Sequence, residues 1–250
     1  MSLDHKAGRG MAVVAAALVL GVVTSAHAAT TTESCLAMKL RELGSLRKCQ
    51  ATENAKALQG RLADPVKCQT RFDDRLAAIN TRAMEATIPC RYRLNGDGTA
   101  TDYDTGLQWE RKTDDGSVHD KDNSYSWNTA DPNTPPNGTA FTEFLGTLNN
   151  GTRVGGAEVT SGCFAGHCDW RLPAIEELTG IVDMTAPGCG SGGPCIDQTV
   201  FGPAGYDLYW SATTQSETPR VAAHLYLYSG QVGVASKGYE LRVRAVRSAL

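Results

Sequence analysis

The chain has 250 residues, with 24 Lys/Arg against 27 Asp/Glu, 41% hydrophobic residues and eight cysteines. That length suits one or two domains. The net charge of −3 argues against a nucleic-acid-binding protein, which needs clustered Lys/Arg.

The first 28 residues have the layout of a signal peptide. Lys6 and Arg9 give a positive start, Met11 to Val23 is an apolar run, and Ser25-Ala26-His27-Ala28 ends in a small-x-small cleavage pattern. The apolar run is shorter than the roughly 20 residues a bilayer crossing takes, and no other stretch is apolar enough to span. The expected mature chain begins near Ala29 and is periplasmic or secreted. An even number of cysteines outside the cytosol is expected to pair.

Residues 33–88 read as helical. Leu36, Leu40 and Leu43 recur at helical spacing, as do Phe72, Leu76, Ile79 and Ala83. After the break at Gly60, Asp64 caps a second helix and Pro65 occupies its first turn. The spacing predicts an antiparallel hairpin over about 33–59 and 65–86. Cys35 and Cys49 on one helix would stand about 21 Å apart at 1.5 Å per residue. A disulfide needs Cα atoms within about 7 Å, so the bonds must cross between helices. Antiparallel geometry favours Cys35–Cys90 and Cys49–Cys68. The separations of 14 and 22 residues differ, so one end must bend or unwind. Such a small unit buries little core, and two staples compensate.

The character changes after Cys90. Residues 30–90 carry a balance of +3, and residues 91–250 a balance of −7. Arg91 to Arg111 reads as short strands joined by turns at Asn95-Gly96-Asp97-Gly98 and Asp104-Thr105-Gly106. Asp97, Asp102 and Asp104 are weak calcium candidates, since the stretch lacks the glycine and closing glutamate of an EF-hand loop. The polar stretch 114–137 is expected to be a loop, with Tyr125 and Trp127 as either packing anchors or a ligand-stacking surface. Phe141, Phe144, Leu145 and Leu148 mark a short helix. Cys163 and Cys168 flank a turn and are expected to pair, as are Cys189 and Cys195 around a Gly-rich loop. Pro173 opens a helix with a buried face of Ile175, Leu178, Ile181 and Val182. Glu176 and Glu177 point about 100° apart, which suits a solvated face better than a catalytic pair. Tyr209 to Thr213 reads as a strand. Ala223, Leu225 and Leu227 alternate with His224, Tyr226 and Tyr228, then turn at Ser229-Gly230 into Val232 and Val234, as in a hairpin. Leu241 to Arg247 reads as one last strand whose arginines pair with acidic loops.

In order, GDGTATDYDTGLQW (96–109), CDWRLPAIEEL (168–178), Ile196-Asp197 with a following Phe201-Gly202, YWSATT (209–214) and VRAVR (243–247) make residues 91–248 similar to the Lcl C-terminal domain family. That family is named for the terminal domain of a bacterial collagen-like adhesin. The chain is therefore expected to be α+β: a signal peptide over 1–28 and a disulfide-stapled helical hairpin over 29–90, both outside the resemblance, followed by a C-type-lectin-like domain over 91–250, which the resemblance implies. This domain would have a twisted antiparallel sheet, two helices and long loops. The resemblance implies a surface or exported module, and the residues, which show no catalytic constellation, make the expected function that of a non-catalytic binding or adhesion module of the bacterial envelope. Its partner would be a glycan or an envelope protein, and a homo-oligomer is a further option. The chain lacks collagen-like repeats and its domain is acidic, which argues against sulfated glycans. The candidate ligand residues are Tyr125, Trp127, Tyr226 and Tyr228, with no cofactor unless calcium. Two alternatives are an enzyme related to formylglycine-generating folds, which would need reactive cysteines, and a structural envelope protein that docks a partner through the hairpin.

Overall fold

A computed structural model describes residues 20–85, 90–128, 136–150, 153–154, 157–158 and 162–249. Residues 1–19 of the expected signal peptide, and 129–135 of the polar loop, lie outside the described residues. The chain divides into one compact unit ending at Cys90 and another from Arg91 to Leu250. Helices, sheets and four disulfides together make it α+β.

The first unit is built from α1 (Leu20–Leu58) and α2 (Pro65–Glu85). The helix α1 starts earlier than the leucine spacing predicts, and the expected cleavage site after Ala28 falls within it. It ends where Gly60 takes a positive φ of 67°. There Arg61 N–H reaches back to the Lys56 carbonyl and Gly60 N–H to that of Ala57. This pair of bonds satisfies carbonyls that a helix end leaves open. Asp64 accepts from Lys67 N–H at 3.0 Å, capping α2 ahead of Pro65. The two helices are joined by Cys35–Cys90 and Cys49–Cys68. The unequal spacing is absorbed because Cys90 lies beyond the end of α2. Between the staples, Leu43, Phe72 and Ile79 are buried.

The second unit holds two main sheets. Strands β1 (Tyr92–Leu94), β2 (Thr99–Asp102), β3 (Leu107–Glu110) and β11 (Val246–Ser248) form one, in that order. The other runs β4 (Ser124–Ser126), β10 (Glu240–Arg242), β7 (Leu208–Thr214), β8 (Val221–Tyr226), β9 (Gln231–Ser236). A minor pair, β5 (Arg153–Val154) and β6 (Ala157–Glu158), stands apart. The tail expected to be one strand is two, one in each sheet. Val243, Arg244 and Ala245 carry the chain across, all three essentially buried.

Neighbouring side chains on β7 point to opposite faces, so Tyr209 and Trp210 enter different cores. Tyr209 joins Trp109, Phe201, Leu225 and Ile196. Trp210 joins Trp127, Phe144, Trp170 and Leu172. The outer edge of β4 is sealed by the segment that leads into a π-helical turn, Ala140–Phe144, and α3 (Leu145–Leu148). Gly138 N–H donates to the Trp127 carbonyl and Ser126 N–H to the Thr139 hydroxyl. A Cβ at position 138 would collide with the Ser126 carbonyl, so only glycine allows this approach.

A charged network lies within this unit. Glu110 is fully buried. Its Oε1 accepts from Lys112 Nζ at 3.0 Å and pairs with His119 Nδ1 at 2.8 Å, and its Oε2 accepts from Ala245 N–H at 2.9 Å. Buried Arg244 donates through one nitrogen to the carbonyls of Glu110 and Phe201. Burial alone would raise the Glu110 carboxyl. The Lys112 ammonium, the His119 hydrogen bond and the Ala245 amide outweigh it and hold the carboxyl below its ordinary range.

Gly138→Ala should lower stability by at least about 2 kcal/mol in urea denaturation. Gly146→Ala, whose Cβ would meet only an ordinary 3.6 Å contact, should be close to neutral. Glu110→Gln should cost about 3–5 kcal/mol near neutral pH, because it strands Lys112 in a dry site. A lowered carboxyl contributes stability above the ordinary carboxyl range and loses it as pH falls through the folded value. The acid-induced fall in stability should therefore be shallower in Glu110→Gln than in the parent.

Candidate functional site

The two pairs of predicted ligand aromatics part company. Tyr125 and Trp127 are 9% and 5% exposed and belong to the core. The Trp127 indole donates to the Ser211 carbonyl at 3.0 Å, meets Phe141 edge to face, and carries Lys237 Nζ 3.8 Å over its ring. Tyr125 packs on Phe144, and its carbonyl accepts from the Trp210 indole at 2.9 Å. The expectation that these two face a ligand is corrected. The residues 124–126 pair with β10 as a strand, and that pairing turns both rings inward.

Tyr226 and Tyr228 are half-buried at the surface, with ring centroids 5.6 Å apart and planes 28° from parallel. Tyr206, 53% exposed, meets Tyr228 edge-on at 6.4 Å. The three rings form a tyrosine platform. Tyr226 closes β8, paired with Leu208 on one side and Gln231 on the other. Tyr228 lies in the turn that follows and is held by the loop of Cys189–Cys195. Its hydroxyl donates to the Gly190 carbonyl at 2.9 Å, and its own carbonyl accepts from Gly190 N–H. Tyr206 is tied in because Leu227 N–H donates to the carbonyl of Asp207. The Asp207 carboxylate pairs with Arg242 at 3.2 Å. Arg242 also reaches Asp122 at 3.7 Å, joining the platform's base to the Asp-rich loop. Disulfide, sheet and ion pair thus restrain the segments that carry the three rings. Sequence reading missed Tyr206; its one signal was an aromatic residue beside an acid in a Gly/Pro-rich loop.

The calcium candidates do not converge. Asp97 accepts from the Thr99 amide and hydroxyl, closing a turn. Asp102 is paired with Arg91 at 2.8 Å and accepts from Asp104 N–H. Among the described residues, the acidic groups close enough to share a cation are Asp114, Asp120 and Asp122. Lys121 Nζ already bonds Asp114 at 3.1 Å and Asp122 at 2.6 Å. Asp120 receives the amides of Asp115, Gly116 and Asp122. Glu176 and Glu177 do not act as a pair: Glu177 is held by Arg171 while Glu176 faces solvent. The remaining two disulfide sites hold Cys163–Cys168 and Cys189–Cys195, and no free cysteine remains.

Trp127→Ala should cost about 3–5 kcal/mol of stability, as truncation of a buried aromatic does, whereas Tyr206→Ala should stay within about 1 kcal/mol; thermal or urea unfolding would separate the two.

The profile of the Lcl C-terminal domain matches residues 98–247, which contain all three platform tyrosines. A search of curated proteins returns no match.

Proposed function

This chain belongs to the Lcl C-terminal domain family, and from that premise we propose that it is an exported, non-catalytic binding module of the bacterial envelope, adhesin-like, with its ligand surface on Tyr206, Tyr226 and Tyr228. The observation that carries the reading is the platform itself. Three tyrosines gather at one surface, two of their hydroxyls without a protein partner among the described residues, on a base of sheet and disulfide. Aromatic faces stack on the apolar faces of sugar rings while hydroxyls and neighbouring carboxylates bond the sugar hydroxyls, so a carbohydrate is the first ligand to test. The balance of −7 over residues 91–250 favours neutral or amino sugars over sulfated ones.

Short helices, two small sheets and long loops pinned by disulfides support a C-type-lectin-like arrangement. The non-catalytic reading draws support from the cysteines, all eight of which are paired, leaving no thiol for formylglycine-type chemistry. Export draws support from the same disulfides and from the absence, among the described residues, of a helix long and apolar enough to cross a membrane.

The test is a glycan array probed with the protein from Ala29 onward, with calcium and again with chelator. Binding should be unchanged by chelator, because the acidic side chains near the platform are occupied by Lys121 and Arg242. Tyr226→Ala and Tyr206→Ala should each weaken it about tenfold or more, the loss of one buried aromatic contact. Binding that survives both substitutions would move the site elsewhere, and no binding to any glycan would turn the platform toward a protein partner.

A further inference from the structure

The turn between α1 and α2 exposes apolar side chains that the hairpin has no use for. Leu58 is 90% exposed, Leu62 97% and Val66 72%. They cluster along the turn: the last residue of α1, the middle of the connection and the second residue of α2. The same turn is basic. Arg61, Lys67 and Arg71 are exposed; Lys67 stands close enough to Glu53 to help lower its carboxyl, and among the described residues none of the three side chains makes a hydrogen bond or ion pair. Lys56 is paired with Glu53 at 2.6 Å, and Asp64 is spent on its cap. The turn is also rigid. The closing bonds from Arg61 and Gly60, the Glu53–Asp64 amide bond at 2.9 Å and the Cys49–Cys68 disulfide fix it from both sides.

We propose that this turn is a membrane-surface anchor, which seats Leu58, Leu62 and Val66 at the headgroup boundary of an anionic bilayer while the surrounding cations meet lipid phosphates. Size favours lipid over a protein groove. Three side chains on a turn bury far less than the roughly 1,200 Å² of a stable protein interface. A bilayer boundary needs only a few apolar groups, because basic residues nearby add attraction to anionic lipid. The anchor lies on the surface and does not span.

The experiment is vesicle co-sedimentation with the protein from Ala29 onward, so that the apolar run Met11–Val23 cannot itself partition. Vesicles of phosphatidylglycerol mixed with phosphatidylcholine are compared with phosphatidylcholine alone. The parent should bind the anionic vesicles, and binding should fall steeply with salt. The double variant Leu58→Ser/Leu62→Ser should lose about tenfold or more, and Arg61→Gln/Lys67→Gln should lose the preference for anionic lipid. Both pairs are exposed, so circular dichroism and the unfolding midpoint should match the parent. Equal binding to both vesicle types, or undiminished binding by the leucine variant, would overturn the proposal. No vesicle binding would also overturn it, and a protein partner lost only in the leucine variant would then point to a protein groove. Glycan binding by the platform is read separately in the same variants and should be unaffected.

Discussion

The buried carboxylate of Glu110 ties β3 to the segment that crosses between the two main sheets. Glu110 ends β3, yet it bonds the ammonium two residues on, the imidazole of a loop and the backbone of the segment that joins the two sheets. Glu110 is tied to Ala245 twice: its N–H donates to the Ala245 carbonyl, and its carboxylate accepts from Ala245 N–H. Arg244 then closes the circle by binding the Glu110 and Phe201 carbonyls. A buried ion pair contributes little net stability compared with an apolar replacement of the same volume, but breaking it is costly. Its role here is geometric, because its bonds reach from β3 to the crossing segment and fix where the chain passes between the sheets.

That fixed crossing determines what the surface can show. Once Val246 is in one sheet and Arg242 in the other, β10 places Arg242 between Asp207 and Asp122. The loop carrying Tyr206 and the Asp-rich loop are thereby brought to a common ion pair. The hairpin of β8 and β9 supplies Tyr226 and Tyr228, and the small disulfide loop locks the second of them. A rigid interior thus presents an organised surface built from loops, the usual division of labour between scaffold and binding residues.

Local chemistry was legible in the sequence. The turns around Asn95–Gly98, the cap at Asp64 and the alternation in β8 report directly on backbone conformation, so the corresponding elements could be read residue by residue. The hairpin staples followed from helical rise, which rules out bonds within one helix, and from the antiparallel arrangement, which nests the two that remain. What escaped depended on partners distant in the chain. Tyr125 and Trp127 looked like loop aromatics because three residues among polar neighbours give no periodicity; their inward orientation comes from pairing with β10, more than a hundred residues later. Leu241 to Arg247 alternates as a single strand would, and only the burial of Arg244 by Glu110 shows why it divides. Tyr206 belongs to no periodic pattern, since its place beside Tyr228 is set by a tertiary contact. The exposed leucines of the hairpin turn were hidden in the same way: helical spacing says which positions could be buried, not whether anything arrives to bury them.

The Cys35–Cys90 disulfide has a mechanical consequence. It spans 55 residues and closes on the last residue before the second unit begins. A pull applied at Arg91 and resisted upstream of Cys35 passes through sulfur and never through the turn or through α2. The enclosed stretch, which would extend by about 180 Å at roughly 3.3 Å per residue, stays out of the load path as long as the bond is oxidised. Reduction would convert a short, stiff tether into a long, compliant one, so the thiol state of the surroundings sets the reach of the second unit under tension.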